Sequence, residues 1–248
     1  MKKLFFMIGL VSLCLVSCKS LRQVHTDEML SHTGYFPIDP FDYGHQIEVA
    51  SNGTILSKPI ELASKEEKLA FMKNDNVLLS IWQKDHEGEV NLGSSAVSSR
   101  NHSYRIVMDY SKHRTVLQGK WGKGRIGVGL RLVAKITTSR NNLNLGDFFA
   151  LGAAAEANHL HGTLSIEVIG IQSRDISALV PLPAELNQTT MQNAMQALST
   201  IKSRIHDEDT RLHPQVIGIY PIDQSEEARA KLIEALGVKA EPTLLPPV

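Results

Sequence analysis

The chain has 248 residues, with 26 lysine and arginine side chains balanced by 26 aspartates and glutamates. No basic excess supports nucleic-acid binding, and no acidic block suggests a solvating tail. At 42% apolar and 21% charged residues the composition is that of an ordinary globular protein, long enough for one large domain or two small ones.

In chain order, Met1–Ser20 divides into three zones: Lys2 and Lys3, an apolar run Leu4–Val16, and Ser17-Cys18-Lys19. A basic start, a short apolar core and a small residue before a cut are the marks of a secretory signal. The run falls short of the roughly 20 residues that cross a bilayer as a helix. Leu15-Val16-Ser17-Cys18 resembles the lipobox of bacterial lipoproteins. The resemblance implies cleavage before Cys18, diacylation of its thiol, and a mature chain held to the membrane of the cell envelope by lipid on Cys18. Lys19, where an aspartate would signal retention, resembles the sorting pattern of outer-membrane lipoproteins. The expected partners are the membrane, through Cys18, and an envelope protein or ligand whose identity the sequence leaves open.

Cleavage there removes residues 1–17, and with Lys2 and Lys3 gone the acidic side chains outnumber the basic ones by two. Of the two cysteines, Cys14 leaves with the signal and Cys18 is acylated. A folded part without a thiol excludes a cysteine hydrolase, a thiolate metal site and a disulfide scaffold. Its stability must come from an apolar core.

Residues 18–59 read as a tether that becomes an extended, partly docked segment, with Tyr35, Phe36, Phe41 and Tyr43 packing onto the domain. A single domain is expected over 60–237. Ser64-Lys65-Glu66-Glu67 is a capping box, predicting a helix to about Lys73 with Leu69 and Met72 inward. Val77–Trp82 reads as a buried strand, Asp85–His102 as a Gly/Ser-rich loop or hairpin, Ser103–Tyr110 as a second strand and Thr115–Leu117 as a short third. Arg125–Thr138 is the longest periodic strand. Ile126, Val128, Leu130, Leu132, Ala134 and Ile136 share one face; Gly127, Gly129, Arg131, Lys135 and Thr137 share the other, which should meet water. After the loop Asn141–Gly146, the Ala-rich stretch Asp147–Asn158 predicts a helix with almost no polar face, hence buried. Gly162–Ile171 alternates as a strand. Asn187 caps a helix whose stripe is Met191, Ala194, Met195, Leu198, Ile201 and Ile205. Gln215–Tyr220 is a further strand and Ser225–Leu236 a last helix ended by Gly237; residues 238–248 form a Pro-rich loose tail. The quartet Val-Ile-Gly-Ile occurs at Val168–Ile171 and at Val216–Ile219, which suggests two glycines that let a helix approach the sheet.

Gly122-Lys123-Gly124-Arg125-Ile126-Gly127 matches G-x-G-x-x-G, but its glycines lead into a strand rather than a helix, so a dinucleotide is not expected there. His159 and His161 could present two imidazoles on one side of an extended segment, with His206 or Asp207 as a third zinc ligand. His206-Asp207-Glu208-Asp209 lacks calcium-loop spacing. No nucleophile elbow, H-E-x-x-H or phosphate loop occurs, and no cofactor is expected.

These patterns predict an α+β fold: a twisted mixed or mainly antiparallel sheet with helices on one face, parallel crossovers being open to its second half. The functional expectation is a non-catalytic binding or assembly module anchored in the envelope. The alternatives are an envelope hydrolase with a metal site around His159 and His161, and a membrane-active effector that inserts the apolar segment Phe148–Ala157.

Overall fold

The computed structural model describes residues 28–30, 34–51, 54–84, 102–139, 145–173 and 183–237. The signal zone with Cys18, the loop predicted after Asp85, most of the loop after Asn141 and the Pro-rich tail lie outside the described residues.

The fold is α+β, organised around two 17-residue strands, β6 (His102–Gln118) and β7 (Gly122–Thr138), joined by a tight turn and paired along their whole length. On the far edge of β6 lies β5 (Asn74–Lys84), and outside it the short β1 (Glu28–Leu30). The second edge of β7 is shared. Strand β12 (Gln215–Pro221) takes its first part, from Gly122 to Gly127, and β8 (His161–Ile169) its last, from Gly129 to Thr137. Beyond β12 lies β2 (Phe36–Asp42), and beyond β8 the two-residue β10 (Ala184–Glu185). Among the described residues this makes an eight-stranded sheet in which every pairing is antiparallel, so the crossovers left open for the second half are not used. Two small antiparallel pairs complete the strands: β3 (Gln46–Ser51) with β4 (Thr54–Pro59), and β9 (Ile171–Gln172) with β11 (Arg211–Leu212).

The apolar alternation of β7 faces the helices as its periodicity required. Ile126, Val128, Leu130, Leu132, Ala134 and Ile136 are buried, and each large side chain among them contributes about 1.5–3 kcal/mol of transfer free energy. Over them pack α1 (Lys65–Phe71), α3 (Gln188–Arg204) and α4 (Glu226–Gly237), bringing Phe71, Met191, Ile201, Leu232 and Leu236 into the same core. Helix α1 begins with the expected capping box between Ser64 and Glu67. In α3 the Asn187 side chain accepts from the Thr190 amide at 2.9 Å and the Thr190 hydroxyl accepts from the Asn187 amide at 3.0 Å. The last carbonyls of α4 are satisfied from the sheet side: Gly44 N donates to Leu236 O and Gln118 Nε2 to Ala235 O.

Several expectations change. Phe36–Asp42, Gln46–Ser51 and Thr54–Pro59 form strands, and Tyr35 and Tyr43 are buried, because the aromatics read as docking groups belong to sheet and core. Strand β6 runs unbroken where two strands were predicted; Ser111 and His113, polar enough to suggest a break, are buried, with Ser111 Oγ accepting from Arg125 of β7 and the His113 ring meeting Ser111 O within β6. Strand β5 is only partly buried, with Val77 exposed, since among the described residues only the three-residue β1 pairs with its outer edge. The Ala-rich segment is a 3-10 turn, Phe148–Ala150, followed by a six-residue helix α2 (Leu151–Glu156) that buries only Leu151 and Gly152. No helix of the described residues is long and apolar enough to cross a membrane. On α3 the buried stripe is Met191, Ala194, Ala197 and Ile201, while Met195 is 47% exposed. The stripe is rotated toward the side where Gly152 of α2 meets Met191 and Gln188.

The repeated quartet serves the fork at β7 rather than helix packing. Gly170 has φ +63° and ends β8; a Cβ there would stand 2.2 Å from His213 O, where His213 N donates to Gly170 O at 2.7 Å. Gly218 instead makes room for the ring of Tyr35 on the sheet face away from the helices.

Candidate functional site

The face of the sheet away from the helices was expected to meet water. Its middle is buried and charged. Asp109 on β6 stands opposite Arg131 on β7, and Glu167 of β8 lies opposite Arg131 on its other side. Arg131 Nε donates to Asp109 Oδ1 at 2.7 Å and Nη2 to Oδ2 at 3.0 Å, a bidentate pair. The remaining donors reach Ile38 O at 2.7 Å and Ile217 O at 2.8 Å. The Tyr35 hydroxyl donates to Asp109 Oδ2 at 2.7 Å. Burial works against the guanidinium charge, but the hydrogen bonds and charge of Asp109 outweigh it and hold Arg131 above its usual range. Burial, and then Asp109, push the Tyr35 phenol up, so it remains a donor.

Farther along, Arg125 reaches from β7 across β6. Its Nε donates to Ser111 Oγ at 3.0 Å, its Nη2 to Asn76 of β5, and the Tyr35 ring lies 5.5 Å from its Cζ. Arg125, Arg131, Asp109 and Tyr35 are all buried, so no ligand touches them from solvent. Their chemistry is to tie β2, β5, β6, β7 and β12 together.

The same face opens toward the end of β7. The register places Trp82 of β5, Arg105 of β6, Lys135 of β7 and Thr163 of β8 in one row, and Ser103, Thr137 and His161 in the next. These residues line a cavity of about 390 Å³. Arg105 and Lys135 are exposed and directly opposite each other, and neither has an ion-pair partner among the described residues. Like charges directly opposite destabilise a strand pair. The Arg105 guanidinium lies 5.7 Å from the Trp82 ring centroid, and Ser103 Oγ stands 3.4 Å from Thr137 Oγ1. The nearest carboxylates by register are Glu185, beyond Thr163 in the same row, Glu167, four residues along β8 from Thr163 and 3.9 Å from Arg131, and Asp109, four residues along β6 from Arg105 and paired with Arg131. Two cations without an ion-pair partner among the described residues, three hydroxyls and an indole thus line one cavity.

His161 lines this cavity, at the start of β8. His159 precedes the strand, and its carbonyl accepts from Thr138 Oγ1 at 2.9 Å. Asp207, considered as a third zinc ligand, is paired with Arg204 at 2.9 Å just past the end of α3. Among the described residues no three His, Cys, Asp or Glu side chains converge to hold a metal. The G-x-G-x-x-G residues lie wholly within β7, with no helix N-terminus to meet a pyrophosphate.

No family model, no curated protein and no solved structure matches the chain.

Of the residues singled out from sequence, the cavity contains one, His161. Arg105 and Trp82 were passed over because each is an ordinary strand residue by itself. Lys135 was placed on the correct face, and nothing local marks it as opposite an arginine 30 positions earlier. A cation at the same facing position on each of two long neighbouring strands was the available signal, and it needs the register to be read.

Proposed function

We propose that this is an envelope lipoprotein, anchored through lipid on Cys18, whose folded part works by binding an anionic group in the cavity between Trp82, Arg105 and Lys135. The observation that carries the binding half is the opposed pair Arg105 and Lys135, two exposed cations that face each other without a carboxylate between them. Such a pair costs folding free energy, and a bound anion relieves that cost. The anchoring half is supported by the lipobox resemblance of Leu15-Val16-Ser17-Cys18.

The two halves are tested separately. Intact mass of the membrane-extracted protein reads the acyl chains, and Cys18→Ser should abolish them and release the protein or stall its processing. Wild-type protein without acyl mass on Cys18 sinks the anchor. For binding, the only two tryptophans are Trp82 and Trp121, so Trp121→Phe makes fluorescence report on the cavity alone. Titration with inorganic pyrophosphate should change Trp82 emission in a saturable way, and Arg105→Gln with Lys135→Gln should remove the response. An unchanged response in that double variant rejects the site.

A further inference from the structure

The cavity stands beside the first described strand. Strand β1 pairs antiparallel with β5 in the register Glu28 to Gln83, Met29 to Trp82 and Leu30 to Ile81. Trp82, one wall of the cavity, is therefore the direct cross-strand neighbour of the first described strand. The direction matters as well as the pairing. Because β1 runs from Gln83 toward Ile81, its upstream end points to the end of the sheet where Ser103, Thr137 and His161 form the outermost row of the cavity. Cys18 precedes Glu28 by ten positions, and a fully extended chain spans at most about 3.3–3.6 Å per residue. Glu28, at the sheet edge beside Trp82, thus lies within about 35 Å of Cys18.

We infer that the anion taken by Arg105 and Lys135 is the phosphate of an anionic phospholipid headgroup in the membrane that holds the anchor. This rests on the proposal that Cys18 carries lipid, which ties this end of the sheet to a bilayer within that reach. The composition of the cavity fits that source. Arg105 and Lys135 supply charge and donors, and Arg is suited to grip phosphate oxygens in pairs. Ser103, Thr137 and Thr163 add hydroxyl donors for a glycerol or second phosphate oxygen. Trp82 is the amphipathic side chain that favours the headgroup level of a bilayer. Basic groups that come within about a Debye length of an anionic leaflet gain from its surface potential. The carboxylate of Glu185, at the far end of the row, bounds the cationic area on the β10 side.

Native mass spectrometry of the full, lipidated chain extracted in mild detergent and supplied with phosphatidylglycerol and phosphatidylethanolamine tests this. One phosphatidylglycerol should be retained in preference to phosphatidylethanolamine. Arg105→Gln with Lys135→Gln should lower its occupancy at least tenfold without altering the covalent acyl mass or the circular dichroism. The single variant Thr163→Val should weaken retention less, and it serves if the double variant does not fold. Equal retention of the two lipids overturns the inference, as does retention that survives the double substitution. Inorganic phosphate alone, at the lipid's concentration, should fail to displace it; full displacement would assign the site to a free anion. Covalent acyl mass reports on the anchor and non-covalent lipid mass on the cavity, so the two readings fail separately.

Discussion

The ring of Tyr35 occupies the space that a side chain at Gly218 would need: a Cβ there would stand 2.1 Å from Tyr35 Cε2 and 2.3 Å from its hydroxyl oxygen. The contact places the phenol so that it donates to Asp109 at 2.7 Å, and it joins the start of β2 to the middle of the sheet. Tyr35→Phe keeps the ring and removes the donor, and should cost about 1–3 kcal/mol, the range for a hydrogen bond to a buried charged group. Gly218→Ala must displace the ring as well, and should cost more than Tyr35→Phe in the same denaturant titration. A Gly218→Ala protein within about 0.5 kcal/mol of wild type, the range of a neutral surface change, would contradict this packing.

The Arg131–Asp109 pair is satisfied on every side, so each partner alone is a liability. Arg131→Met strands a buried carboxylate and should cost about 3–5 kcal/mol; Asp109→Leu strands the guanidinium and should cost a similar amount. The double variant removes both charges and their desolvation together, so it should lose far less than the sum of the singles. Additive losses in equilibrium unfolding would show that the two side chains do not depend on each other.

Helix α3 offers a comparison within one element. Ile201 is buried in the core and Met195 is 47% exposed. Ile201→Ala should cost about 2–5 kcal/mol, and Met195→Ala should stay within about 0.5 kcal/mol of wild type. Thermal or chemical unfolding of the two variants checks the rotation of the buried stripe. Equal losses would return the stripe to the one that periodicity alone predicts.

His113 gives a pH dependence. Burial first, and the charge of Arg125 next, lower it from 6.5 to about 4. Its stabilising contribution is fully present above about 6.5, where folded and unfolded histidines are both neutral. As pH falls from about 6.5 toward 4, the unfolded chain takes up a proton that the folded protein refuses, and stability declines. The loss across that window is about 3 kcal/mol. In a series of urea titrations His113→Gln should show a shallower decline over the same range; parallel curves would mean that His113 titrates normally.

Much of the fold is legible in sequence because its signals are local. The capping box at Ser64 and the cap at Asn187 work within three residues, and the alternation from Ile126 to Ile136 marks the helix-facing side of β7 by a period of two. The same alternation held for Lys135 and Thr137 but misjudged the middle of the opposite face, since hydropathy assigns an arginine to water whatever stands across from it. Arg131 is buried because Asp109, 22 positions earlier, meets it, and Arg125 because Ser111 and Asn76 reach it. These are pairings of register, not of composition.

By itself, the sequence determined the balance of charge, the places where helices begin, the inward face of β7 and the resemblance of the first twenty residues to a lipoprotein signal. Each is a matter of residues a few positions apart, whose backbone and side-chain preferences act before any tertiary contact forms. Only the tertiary structure decided that β8 and β12 share one edge of β7, that Tyr35 fills the space over Gly218, and that Arg105 faces Lys135 beside Trp82. A one-residue slip between β6 and β7 would send Arg105 and Lys135 to opposite faces. The cavity therefore exists only once the two long strands have locked into the register that the core side chains select.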